Sequence, residues 1–145
     1  MLENFKKAIF RALCLCCVLI GGGGLMAEPT HEELVLLGML SYDKQDFSKA
    51  KEYFEKACEL NNGGGCGALG DLYDDGKGVE KDLIKAAYFY SKACELKDGW
   101  GCSFLGVLYY NGDGVKQDSK KAVALFEKAC KLGYKKACEM LKELR

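Results

Sequence analysis

A chain of 145 residues that sets 21 Lys and Arg against 21 Asp and Glu has no net charge, and so lacks the electropositive footprint of a nucleic-acid-binding protein. Its length allows one domain with a buried core, and eighteen glycines against one proline point to helices broken by glycine turns. His31 is the only imidazole, which nearly excludes a nucleophile–histidine–acid triad, and its place in a capped first turn reads as a solvated position.

Residues 1–27 have the layout of a secretory signal peptide. Lys6, Lys7 and Arg11 form a positive start, Ala12 to Ile20 is an unbroken apolar run of nine, and Leu25-Met26-Ala27 permits cleavage after Ala27. A membrane anchor needs about 18 or more apolar residues. The expected protein is therefore secreted or periplasmic, with no membrane association once the leader is cut, and Cys14, Cys16 and Cys17 leave with the leader. What remains, residues 28–145, carries 18 basic and 20 acidic groups.

Thr30-His-Glu-Glu33 predicts a capping box opening the first helix, because a threonine hydroxyl and a glutamate three residues on can satisfy each other's free amides. Behind it everything recurs at 36 residues. Cys58, Cys94 and Cys130 align, as do Cys66, Cys102 and Cys138; so do Ala50, Ala86 and Ala122, and Phe54, Tyr90 and Phe126. A fixed period in this range marks a solenoid. Within one unit, Asp82 caps a helix running to Leu96, with Leu83, Ala86, Ala87, Tyr90, Ala93 and Cys94 on one stripe. A second helix is predicted from Gly101 to Tyr110, with Leu105 and Leu108 inward, ending at the glycine-rich Asn111-Gly-Asp-Gly-Val115. Leu37-Gly38 aligns with Leu69-Gly70 at a spacing of 32, so the first connection is shortened. The polar helix from Tyr134 to Arg145 suits a terminal cap. The expected architecture is all-α: a solenoid of antiparallel helix pairs.

Two cysteines eight apart on a continuous helix would lie about 12 Å apart, whereas a disulfide needs Cα atoms within about 7 Å. The chain must therefore reverse between them. Asn61 to Gly65, Lys97 to Gly101 and Leu132 to Tyr134 supply the expected turns. Repeat symmetry then selects Cys58–Cys66, Cys94–Cys102 and Cys130–Cys138 from the 15 possible pairings. Zinc wants four clustered ligands, and these pairs are spread along the solenoid, so neither metal nor other cofactor is expected.

The pattern Leu69-Gly70-x-x-Tyr73-x-x-Gly76-x-Gly78-Val79-x-x-Asp82-x-x-Lys85-Ala86, repeated from Leu105 to Ala122, resembles the Sel1-like repeat, a relative of the tetratricopeptide unit. With its C-x7-C pairs the chain resembles the Helicobacter cysteine-rich protein family over residues 30–145. That resemblance implies penicillin binding and weak β-lactamase activity. Ser41-Tyr-Asp-Lys44 fits the S-x-x-K pattern of penicillin-recognising enzymes, making Ser41 and Lys44 the catalytic candidates the resemblance suggests. Tyr109-Tyr-Asn111 resembles the Y-x-N motif, but K-T-G is absent. With five serines and 19 lysines in the chain, about 0.65 S-x-x-K matches arise by chance. Ser41 and Lys44 read better as an exposed loop where the first helix ends.

Comparison between units points to a different working surface. Gly64, Gly67, Asp71 and Asp74 become Trp100, Ser103, Val107 and Tyr110 in the next copy, while the shifted first unit offers Glu32, Val35, Met39 and Tyr42. These positions share one helix face, opposite the leucine stripe, that would line the inner curve of the solenoid. Met39, Tyr42, Trp100, Ser103, Val107 and Tyr110 are the candidate ligand contacts, since exposed aromatic groups anchor partners. Packing between neighbouring units is the other reading of the same positions. The expected ligand is a peptide, a peptidoglycan-like fragment or a host or periplasmic protein, with β-lactams as a further candidate, bound by a monomer.

Overall fold

A computed structural model of the protein describes residues 27–145, so the expected leader lies outside the described residues apart from Ala27. Seven helices follow one another there without a strand: α1 (His31–Asp43), α2 (Phe47–Glu59), α3 (Gly63–Asp75), α4 (Leu83–Glu95), α5 (Gly99–Asn111), α6 (Ser119–Lys131) and α7 (Lys135–Leu144).

Every helix start but that of α7 has a side-chain cap. Thr30 and Glu33 form the expected capping box, with Thr30 Oγ1 accepting from Glu33 N at 3.2 Å and Glu33 Oε2 from Thr30 N at 2.8 Å. Asp46, Asp82 and Asp118 each accept the amide three residues on, at 3.2, 3.0 and 3.0 Å. Gly76 and Gly112 end α3 and α5 at φ +68° and +76°, a conformation that a side chain disfavours. The shortened first connection is real: residues 44–46 join α1 to α2, where 76–82 and 112–118 make the corresponding links.

The helices pair as α2–α3, α4–α5 and α6–α7, and one disulfide closes each pair. Cys58–Cys66, Cys94–Cys102 and Cys130–Cys138 have Cα–Cα distances of 4.6, 4.5 and 4.8 Å. Helix α1 stands ahead of the first stapled pair, in the register of α3 and α5. Its Leu34 stands in register with Cys66 and is buried without a bridge.

The turns before α3 and α5 are shorter than the sequence suggests. Gly63–Gly65 and Gly99–Gly101 belong to the helices' first turns, capped by Asn62 and Asp98, whose side chains accept from Gly65 N and Gly101 N at 2.9 and 2.8 Å. The chain reverses instead at Asn61 and Lys97, which take φ of +60° and +64°. The glycines serve close approach: a Cβ on Gly65 would stand 2.7 Å from that of Ala57, and one on Gly101 2.5 Å from that of Ala93. Disulfide and glycine together press the two helices of a pair into contact.

Between pairs a second contact repeats. Gly38, Gly70 and Gly106 face the rings of Phe54, Tyr90 and Phe126 on the following helix. These rings are buried, and with Ala50, Ala86, Ala122, Leu69, Leu72, Leu105 and Leu108 they form the core. Helices α1, α3 and α5 also touch one another across units, which places them on the inner side of the stack.

Candidate functional site

The inner side carries a groove of about 470 Å³ that crosses three helices. Val35, Met39 and Tyr42 come from α1, Gly64, Ala68 and Asp71 from α3, and Trp100 from α5, with Asp43, Phe54 and Asp98 completing the lining. The volume is in the range of small-ligand or peptide side-chain pockets. Gly64 explains why the groove is open at its middle. A Cβ there would meet only Asn62 Oδ1, at 3.2 Å, so the space above it belongs to no neighbour. The equivalent position one unit on is Trp100.

Trp100 packs between units and also borders the groove. Its ring packs on Phe104 at 4.5 Å and Tyr90 at 5.7 Å between centroids. A Cβ on Gly67 would come within 3.0 Å of its Cε3, so one edge of the indole is an inter-unit contact while the rest faces the groove. Met39 is 55% exposed and stands at the wall of this concavity.

The groove is acidic as well as apolar. Burial disfavours the charged form of Asp71 and pushes its pKa up, an effect strengthened by Asp75 and opposed by Lys77. Burial likewise raises the Asp98 pKa, against the stabilising amide of Gly101. On the adjoining turn of α3 burial raises the Asp74 pKa too, and Tyr90 donates to Asp74 Oδ2 at 3.3 Å. Lys77 donates to the Tyr42 hydroxyl and pairs with Asp75 at 3.0 Å. No ion pair engages Asp71 or Asp98 among the described residues.

The six candidate contacts do not form one surface. Met39, Tyr42 and Trp100 converge on this groove. Val107 and Tyr110 instead line a smaller one, of about 230 Å³, with Asn111, Phe126 and Met140. Ser103 lines neither: it is 3% exposed, because it occupies the register of Gly67, a position that the next unit covers. Asp98 was hidden from sequence reasoning by its assignment to a turn, although its place three residues before Gly101, matching Asn62 before Gly65, is the signature of a cap.

Comparison with known proteins agrees with the repeat geometry. The Sel1 repeat profile matches residues 65–98 and 101–134, and the tetratricopeptide repeat profile residues 31–63. The solved structure of Helicobacter pylori cysteine rich protein B is 43% identical with a TM-score of 0.64, and the match covers 96% of both chains. The chain belongs to the Helicobacter cysteine-rich protein family. Among curated members of this cysteine-rich family, HcpC of Helicobacter pylori strain J99 is 58% identical over 83 residues, 57% of this chain and 28% of HcpC. HcpA of that strain, which bears the name β-lactamase, is 55% identical over 83 residues, 57% of this chain and 32% of HcpA. The matched segment thus spans about a third or less of these relatives.

In this member of the cysteine-rich family the S-x-x-K residues sit differently from the exposed loop expected of them. Ser41 lies inside α1, 8% exposed, and its hydroxyl donates to the Leu37 carbonyl at 2.9 Å. A serine in a helix commonly bonds back one turn in this way, and that leaves its proton engaged and its oxygen turned from solvent. Lys44 is the C-cap residue of α1 and is exposed, so only half of the pair matches the loop reading. Asn111 of the Y-x-N match faces the smaller groove, and Tyr109 receives a hydrogen bond from Lys121 Nζ at 2.9 Å. The motif fragments are thus distributed over α1 and α5, with Ser41 in neither groove lining.

Proposed function

We propose that the protein is an exported, disulfide-stapled Sel1-repeat scaffold that binds a peptide-like or protein partner on its inner face. The observation that carries this reading is the groove itself: an opening of about 470 Å³ in which Met39, Tyr42 and Trp100 come together from α1 and α5 across the glycine surface of α3. Large side chains half exposed in a concavity, rather than buried or scattered, are typical of binding anchors. Three disulfides fit a protein that works in an oxidising compartment, which supports the export suggested by residues 1–27. A pull-down from periplasm and culture medium tests the reading. Wild type retains a partner that Trp100→Ala and Met39→Ala release, while equal retention by all three proteins refutes it.

The name of HcpA favours a second reading, β-lactam recognition with slow turnover. The engaged hydroxyl of Ser41 argues against that residue as its nucleophile. Incubation with labelled penicillin separates the readings. A covalent adduct or ring opening above background supports the enzyme, and its loss in Ser41→Ala would overturn the assignment of Ser41 to structure.

A further inference from the structure

The groove has apolar walls, three carboxylates and no basic side chain in its lining. Asp43 comes from α1, Asp71 from α3 and Asp98 from the cap of α5. Asp74 and Asp75 add negative charge at the end of α3. The cation that acts on Asp71, Lys77, is taken up by Asp75 and the Tyr42 hydroxyl. Asp98 engages one oxygen with Gly101 N and has no ion-pair partner among the described residues. A half-buried carboxylate without an opposite charge is an unfavourable arrangement that a bound cation relieves. An anionic ligand meets the reverse: a penicillin or a peptide C-terminus brings a carboxylate into a field of like sign.

We propose that this groove receives a segment of a partner protein in which a lysine or arginine stands next to a large apolar side chain. The cation pairs with Asp71, and the apolar group lies over Gly64 between Met39 and Trp100. Both features are needed. The aromatic and thioether walls supply contact area, while Asp71 selects the sign of the charge and fixes the register of the segment. The inference rests on the inner-face binding reading above and adds the chemistry of the partner to it.

The test uses the full exported chain and a random twelve-residue peptide library displayed on phage. Wild type, Asp71→Asn and Gly64→Leu are panned in parallel, each first shown to be folded by circular dichroism. Gly64→Leu fills the groove at a position where the next unit carries Trp100, so the fold has room for it. Peptides selected by wild type should be enriched in Lys or Arg beside aromatic or aliphatic residues. A synthetic representative should shift the emission of Trp100, the only tryptophan in the chain, in a saturable way. It should bind Asp71→Asn at least tenfold more weakly, lose affinity with added salt, and leave Gly64→Leu unbound. Selected peptides that lack a basic excess, or that bind Asp71→Asn equally, overturn the charge inference while the groove remains a binding site. Recovery of no sequence beyond those taken by Gly64→Leu overturns the inner-face reading and this inference with it.

Discussion

Alanine at two glycines of the same helix should change stability in opposite directions. A Cβ on Gly70 would stand 2.7 and 2.8 Å from Cδ1 and Cε1 of Tyr90, against an ordinary carbon–carbon separation of about 3.5 Å or more. Tyr90 cannot retreat. It is fully buried, its ring is flanked by Trp100 and Phe104, and its hydroxyl is bonded to Asp74. Overpacking of this kind costs about 1–3 kcal/mol, and the gain in helix propensity returns at most about 1 kcal/mol. Taking the middle of the first range less the full offset, Gly70→Ala should lose about 1 kcal/mol net. Gly64→Ala meets only Asn62 Oδ1 at 3.2 Å and should gain a few tenths up to about 1 kcal/mol. With an m value of about 1.5 kcal/mol/M, the two urea midpoints should differ by about 1 M or more. Shrinking the ring in Gly70→Ala/Tyr90→Leu should make the double variant less destabilised than the sum of its parts, by about 1 kcal/mol. Equal midpoints for the two alanine variants, or strict additivity in the cycle, would falsify the close-packing account of Gly70.

Replacing Cys94 and Cys102 together by serine should cost about 2–3 kcal/mol by the loop-closure argument; denaturation curves unchanged by the substitution, or by reductant on wild type, would show that the staples add nothing. Burial raises the Asp71 pKa, so its ionised form opposes folding above that pKa, and the penalty vanishes below the unfolded value of about 3.9. Asp71→Asn should accordingly melt higher than wild type at pH 7, with the difference fading by pH 3; a gain that grows on acidification contradicts this sign. Gly78 and Gly133 both have positive φ, +68° and +94°. Only at Gly78 would a Cβ collide with backbone, 2.8 Å from the carbonyl carbon of Phe47. Gly78→Ala should lose at least about 1 kcal/mol more than Gly133→Ala in the same unfolding assay.

The repeat architecture was legible because its causes are local and periodic. Capping aspartates at 46, 82 and 118, an apolar stripe at helical spacing and C-x7-C pairs that force a reversal all act within a dozen residues. The glycine clusters were misleading for a physical reason. Glycine serves both turns and close helix contacts, and only the partner side chain, Ala57 for Gly65 or Ala93 for Gly101, distinguishes the two. The groove was partly legible. Inter-unit comparison picked out Met39, Tyr42 and Trp100, which lie up to 61 residues apart and converge through stacking. It misplaced Ser103, since a variable position can vary under a neighbouring unit as well as in the open. Asp98 escaped notice because one side chain both caps α5 and borders the groove.

All three disulfides lie inside helix pairs, whereas the groove spans the joints from α1 to α3 and from α3 to α5. A covalent bond closes each hairpin, whereas the walls of the groove meet across noncovalent joints where glycine packs closely against a ring. Oxidation therefore fixes each hairpin by itself, and the alignment of one hairpin on the next is left to packing alone.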